Sequence, residues 1–227
     1  MCGIVGLYLK NKKYNKDLGK FLTGMMNNMS TRGPDSAGFA IYSTERKKKY
    51  KYSICYNKNN IKEIKKNLSK EIKDAKIKII SDHFVLETSL KPVKVISIIK
   101  SYNNLNLVGY GSSIEIFKQV GNPRDVVNNF SLKNFSGTHA IGHTRMATES
   151  AITTDGSHPY STGEDECLVH NGSLSNHNNL RRKLKKNGSK FSSDNDTEVA
   201  AGYISDSLKK INLKQTLNKF LRYLDLF

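Results

Sequence analysis

The second residue of the chain is a cysteine, in the opening MCGIVGLY. Removal of Met1 ahead of a small second residue would leave Cys2 with a free α-amino group and a thiol on the same residue. An α-amino group titrates at about 7.7 to 8.0 and a cysteine thiol at about 8.5, so near neutral pH the amine is partly unprotonated and accepts the thiol proton directly or through water. That pairing is a nucleophile with its own base. Taken alone, the same cysteine also reads as an inert buried thiol. Further polar residues with chemical potential gather between Gly137 and Val199. Among them, Cys167 and His170 sit three apart on a predicted strand and face opposite sides, which favours a core cysteine over a thiol–imidazole pair. His143, His158 and His170 match no compact zinc spacing, and no metal site is expected. A phosphate-binding GxxxxGK[ST] loop is absent from the sequence.

The elements that must carry these residues follow from periodicity. MCGIVGLYL reads as a buried strand with Gly3 and Gly6 inside it. Leu18, Phe21, Leu22, Met25, Met26 and Met29 recur at the spacing of a helix with one apolar face, which makes the methionines core. Arg32-Gly33-Pro34-Asp35 stops that helix, and Ser36 to Tyr42 reads as a strand. From Arg46 to about Phe135 the pattern divides into a Lys/Tyr strand-like piece, a Lys-rich helix near Ile61 to Lys73, and β-branched runs at Ile77 to Ile80 and Val93 to Ile99. Gly137 to Arg145 and Glu166 to His170 read as strands. Asn178 to Lys186 reads as a basic helix begun at Ser175 or Asn176, Asp196 to Leu208 as a helix capped by Asp194 or Asn195, and Leu213 to Leu224 as a third.

Composition bounds the classes. With 227 residues, 37% of them hydrophobic, the chain is long enough for one α/β or α+β domain, and no apolar run approaches the roughly 18 to 20 residues of a membrane span. Lys+Arg of 37 against Asp+Glu of 20 gives a net charge of +17. Only seven of those cations are arginines, and the lysines are scattered among Asn and Ile, as an AT-rich genome would give, so no nucleic-acid partner is expected. Three cysteines, Cys2, Cys55 and Cys167, imply no disulfide framework and fit a reducing compartment. The apolar stretch Ile4 to Leu9 precedes the Lys10, Lys12 and Lys13 cluster, the reverse of a secretory signal, so the expected location is cytoplasmic.

MCGIVGLY, RGPDSAGFAIY, GHTRMATES, SHPY, LVHNGSLSNHNNLRRKL and SDNDTEVAAGYI, in this order, resemble the class II glutamine amidotransferases, which are N-terminal-nucleophile hydrolases. GHTRMATES followed by SHPY is most similar to stand-alone subunits related to the first domain of glutamate synthase, including the first subunit of N-methylglutamate synthase, also called methylamine–glutamate N-methyltransferase. The resemblance implies a single α+β domain over residues 1–227, built as a four-layer α-β-β-α sandwich of antiparallel sheets, with a Lys-rich insertion at about 45–135. It implies that Cys2 attacks the side-chain amide of glutamine and that Asn171 and Gly172 form the oxyanion hole. A side-chain amide and a backbone N–H at adjacent positions can converge on one oxygen, and losing one such donor typically costs about 2.7 to 4 kcal/mol of transition-state stabilisation. On local pattern alone Asn171-Gly172 also suits a type I′ hairpin turn. By the same resemblance Arg145 holds the substrate α-carboxylate with Thr148 as a further donor, and Asp196 holds the α-ammonium. Without Cys2, Arg145 reads as a structural ion pair and Asp196 as a helix cap. Arg32 and Asp35 shape the loop beside Cys2.

The sequence departs from that pattern in three places. After NDTEV only 28 residues follow, Ala200 to Phe227, where the family's domain continues through further strands, so the sandwich is expected to be incomplete at its C-terminus. The 45–135 stretch is unmatched and reads as a decorated surface or a docking face. Glu149 stands where many relatives carry His or another polar residue. The implied activity is that of a glutaminase-type subunit that forms a γ-glutamyl thioester and releases ammonia. No cofactor is expected in this chain, and a flavin is expected on a glutamate-synthase-like partner subunit in a hetero-oligomer. The competing reading is an inactive amidotransferase-like binding or regulatory subunit.

Overall fold

In strand β1 (Gly3–Tyr8) Gly3 and Val5 are buried while Ile4 and Tyr8 are exposed, so one face of this strand packs and the other looks outward. The packed face meets helix α1 (Leu18–Asn28), whose Leu18, Leu22 and Met26 are fully buried one turn apart. Burial of each such side chain contributes about 1.5 to 3 kcal/mol. The methionine stripe is therefore core, as the periodicity predicts: Met25 and Met29 pack on the same cluster. These statements come from a computed structural model that describes residues 2–44, 48–57, 60–147 and 151–224.

The chain then builds two antiparallel sheets. The first has the order β1-β8-β2-β7, with β2 at Ser36–Tyr42, β7 at Ile114–Val120 and β8 at His139–Arg145. The second has the order β4-β5-β3-β6, with β3 at Tyr50–Tyr56, β4 at Lys76–Ile80, β5 at His83–Thr88 and β6 at Leu105–Gly111. Helices α1 and α4 (Pro123–Asn129) close one face of the first sheet around Phe39, Phe117 and Phe130. Helices α2 (Ile61–Glu71) and α3 (Pro92–Lys100) close one face of the second around Tyr52, Ile54, Phe84 and Leu86. Ala40, Val108, Ile114 and Ile116 fill the space between the sheets. The result is the α-β-β-α sandwich. Helices α5 (His177–Lys186), α6 (Asp196–Leu208) and α7 (Leu213–Leu224) pack on one another through Leu180, Leu184, Val199 and Phe220. Among the described residues no helix is long and apolar enough to cross a membrane.

One open reading is settled and one changes. The β-branched run from Val93 to Ile99 is helix α3, because Pro92 fits the first helical turn and Val95 and Ile99 are buried at i and i+4. Glu166 to His170 is an irregular segment joined to Tyr160 through Leu168 by one pair of backbone hydrogen bonds, and no named strand runs beside it among the described residues. Of the two cap candidates for α6, Asn195 is the one used: its side chain accepts from Thr197 N.

Ser112 and Ser113 turn β6 into β7 and so carry the chain from the second sheet to the first. Asp165 grips this turn, accepting from the N–H groups of Ser112 (2.8 Å), Ser113 (2.9 Å) and Ile114 (2.9 Å) and from both serine hydroxyls. Burial raises the pKa of this carboxyl, but the hydrogen bonds outweigh burial and hold it below the usual carboxylate range. Replacing Asp165 by Ala orphans three N–H groups at the crossover. A loss of about 2 kcal/mol in urea unfolding, with an unchanged helical signal, is the expected result.

Candidate active site

The register of β1 on β8 pairs Gly3 with Thr144. Continued by one residue, it sets Cys2 opposite Arg145, and residues directly opposed across antiparallel strands point to the same side. Cys2 Sγ lies 3.4 Å from the N–H of Met146, which donates to it, and 3.7 Å from the Met146 carbonyl. Cys2 is half-buried. Asn171 reaches it from the other side, its Nδ2 donating to the main-chain carbonyl of Cys2 at 3.0 Å. Cys2, Arg145 and Asn171, far apart in sequence, are thus brought to one strand end.

The RGPD turn abuts the same place. A Cβ at Gly33 would stand 2.4 Å from the Thr144 carbonyl oxygen, so only glycine lets the turn lie flat against the end of β8. Asp35 N then donates to Arg145 O (3.1 Å) and Asp35 Oδ2 accepts from Ala147 N (2.8 Å), which fixes the backbone on both sides of Met146. Thr148 and Glu149 lie outside the described residues.

Arg145 is only 4% exposed. Its guanidinium is wrapped by the segment from Ala151 to Gly156, with Nη1 donating to Ala151 O at 3.3 Å. Lys118 holds that wrapping from β7: its Nζ donates to Asp155 O (3.2 Å) and Ser157 O (2.9 Å) and stands 4.6 Å from the Tyr160 ring centre. Burial pushes the Lys118 ammonium down to about 8. Lys118 was not among the sequence candidates. Its signal is positional, since it follows Ile114 and Ile116 at period two on the inward face of an edge strand, where a lysine has no ordinary reason to be.

Asp196 opens α6. Its Oδ2 accepts from Leu174 N (2.7 Å) and its Oδ1 from the Thr197 hydroxyl (3.3 Å), so one carboxylate ties α6 to the segment carrying Asn171. Asn171 and Gly172 are exposed, and neither has the positive φ that a type I′ turn demands, so the hairpin alternative does not apply. Cys167 is separated from this chemistry: its sulfur meets the Tyr42 hydroxyl at 3.3 Å, and burial pushes the thiol up to about 11.

The three site histidines are not arranged as metal ligands. The His143 and His158 rings stack, with centres 4.0 Å apart and planes 22° apart. His143 Nε2 bonds the His170 carbonyl (3.1 Å), His158 Nε2 bonds Thr197 Oγ1 (3.0 Å), and His170 Nδ1 faces the same Thr197 oxygen (3.3 Å). Burial pushes His143 down to about 4 and His158 well below its ordinary value. Among the described residues, one group of three residues offers ligand atoms within 4.8 Å of one another, Cys55, Asp82 and His83 on β3 and at the start of β5. His83 Nδ1 is bonded to Asp82 Oδ1 (2.9 Å) and burial pushes the Cys55 thiol up to about 12, the pattern of a structural His–Asp pair beside a core cysteine. A cleft of about 500 Å³ opens elsewhere, lined by Lys118, Asp155, Tyr160, Glu198 and Ser205 among others, and none of Cys2, Arg145, Asn171 or Asp196 lines it.

The chain is thus an α-β-β-α sandwich with a half-buried cysteine leading an edge strand. Comparison with known proteins gives its family. A glutamine amidotransferase domain model matches residues 130–210. The glutamine amidotransferase-like protein GlxB of Rhizobium meliloti is 46% identical over an alignment covering all of this chain and 77% of that protein. A putative glutamine amidotransferase of Methanothermobacter thermautotrophicus is 30% identical, over 99% of this chain and 79% of its own length. The solved structure of the allosteric regulatory enzyme of purine biosynthesis shares the fold at a TM-score of 0.55 and 19% identity; the match covers 99% of this chain, which spans 33% of that one. The chain belongs to the glutamine amidotransferase family.

The stacked histidines make stability sensitive to acid. Because the folded state holds His143 neutral down to about 4, the unfolded chain takes up a proton below its ordinary 6.5 that the folded chain refuses. The contribution is complete above that value and is lost as pH falls towards about 4. Urea unfolding is expected to lose about 2 kcal/mol between pH 7 and pH 5 on account of His143, with His158 adding in the same direction, and His143→Phe should flatten that slope.

Proposed function

We propose that the chain is a glutaminase-type amidotransferase subunit that hydrolyses glutamine with Cys2 as nucleophile and passes ammonia to a synthase on another chain. The observation that carries the reading is the convergence on Cys2: Met146 N donates to its sulfur and the Asn171 amide to its carbonyl, with Arg145 opposite it on β8. Once Met1 is removed, the Cys2 amine accepts the thiol proton and the sulfur attacks the glutamine side-chain carbonyl carbon. Oxygen takes the negative charge, which Asn171 Nδ2 and the Gly172 N–H are placed in sequence to receive. The carbon–nitrogen bond breaks, the nitrogen leaves as ammonia with the proton returned by the amine, and water cleaves the thioester to glutamate and free thiol.

Recognition of a free amino acid needs one fixed cation and one fixed anion. Arg145 supplies the first to the α-carboxylate, with Thr148 as a second donor, and Asp196 the second to the α-ammonium. The partner follows from the motif resemblance: a glutamate-synthase-like or N-methylglutamate-synthase-like subunit carrying a flavin.

Intact mass of the folded chain, before and after a diazo-ketone analogue of glutamine, tests the reading. The expected result is loss of Met1 and one adduct, blocked by glutamine and absent from Cys2→Ala. Arg145→Lys should raise KM for glutamine about tenfold by replacing a two-point grip with a single charge. A folded chain lacking Met1 that takes up no adduct overturns the assignment.

A further inference from the structure

The cluster formed by His143, His158, His170 and Thr197 joins the three segments that carry the site. His143 lies two residues before Arg145 on β8 and on the same face of the strand. His170 immediately precedes Asn171 and Gly172, and Thr197 immediately follows Asp196. His143, His158 and Thr197 are 1%, 5% and 1% exposed, so their polar atoms work away from bulk water.

The hydrogen bonds permit one self-consistent proton assignment. A carbonyl only accepts, so His143 Nε2 carries a hydrogen and donates to His170 O. The Thr197 hydroxyl has one hydrogen, which goes to Asp196 Oδ1, leaving its oxygen to accept from His158 Nε2 and His170 Nδ1. Within this cluster the buried side-chain atoms without partners are then His143 Nδ1 and His158 Nδ1, both bare lone pairs, less costly to bury than an orphaned N–H. Gly38 on β2, the register partner of both His143 and Lys118, makes room for this, since a Cβ there would stand 2.2 Å from the His158 carbonyl oxygen.

We infer that His143 and Thr197 are separate positioning residues for the two halves of the reaction: His143 sets the oxyanion loop through the His170 carbonyl, and Thr197 sets the ammonium-binding carboxylate of Asp196. The inference rests on the glutaminase reading above. A donor that stabilises charge only in the transition state acts on kcat, whereas a contact to the substrate head acts equally on ground and transition states and so on KM. The two residues share one cluster and nevertheless act on different kinetic constants.

The test is steady-state glutamine hydrolysis by two variants that preserve volume, with hydrogen–deuterium exchange as a readout independent of turnover. His143→Phe keeps a ring to stack on His158 and loses the donor; kcat should fall about tenfold to a hundredfold with KM within about twofold. Thr197→Val keeps the shape and loses the hydroxyl, its contact to the His170 ring included; KM should rise about tenfold, with kcat falling by less than about threefold. His143→Gln carries an amide to the position of Nε2 and should restore kcat, His143→Asn falls short and should not, and Thr197→Ser should restore KM. Exchange should quicken across 170–172 in His143→Phe and at Leu174, whose N–H is held by Asp196, in Thr197→Val. A role confined to general packing predicts that both variants shift kcat and KM together, or that His143→Gln and His143→Asn behave alike. Either result overturns the inference while leaving a Cys2-dependent wild-type activity intact. Should the wild type not turn over at all, the glutaminase reading fails by itself and the exchange pattern still decides the positioning: the two segments loosening separately supports it, and loosening together overturns it.

Discussion

The pairing of β8 between β1 and β2 is the constraint from which the site descends. One strand presents Ala140, Gly142 and Thr144 towards α1 and Ile141, His143 and Arg145 towards the opposite side, and its register is pinned by both neighbours. A slip of one residue would send the arginine and the histidine into the packing of Met26 and bring small residues to the reacting end. Gly142 has no room for such an exchange, because Met26 Sδ already stands 2.4 Å from where a Cβ would be. Hydrophobic packing on one face of the sheet thereby dictates which polar groups meet on the other.

That other face is polar at its site end, and dense hydrogen bonding holds it together although His143 Nδ1 and His158 Nδ1 stay without partners. Lys118 closes on two carbonyls and an aromatic ring, Thr197 takes one donor role and two acceptor roles, and Glu198 receives the backbone and hydroxyls of Ser192 and Ser193. In a low-dielectric interior each such bond is strong and each missing one costly, so the loops that carry Asn171, Arg145 and Asp196 have few alternative arrangements.

The elements that could be read from the sequence were those with one dominant period. Leu18, Leu22 and Met26 announce α1, and the β-rich opening run and the Ser36 to Tyr42 run announce two strands of the first sheet, although β1, read as buried, leaves Ile4 and Tyr8 exposed. Val93 to Ile99 stays open in the sequence because β-branched residues suit a strand locally, while Pro92 and the burial of Val95 and Ile99 settle a helix. The segment from Glu166 to His170 has strand composition but lacks a strand neighbour among the described residues, and pairing is a property of the neighbour as much as of the segment. Cys2, Arg145 and Asn171 were legible as candidates, and the structure joins them through the end of β8. Lys118, Thr197 and Asp165 were not, because what distinguishes them is the atoms they bind across long sequence separations.

The lysine-rich middle of the chain supplies all of the second sheet, and its core of Tyr52, Ile54, Phe84 and Leu86 shares no residue with the core under the first sheet. On α2 the buried residues are only Ile64 and Leu68, and Lys62, Lys65, Lys66 and Lys70 are exposed. Substitution on that surface is therefore nearly invisible to the reacting groups. The exposed lysines of α2 are therefore free to follow the composition of the genome, whereas Gly33 and Gly38, with no space for a Cβ, are not.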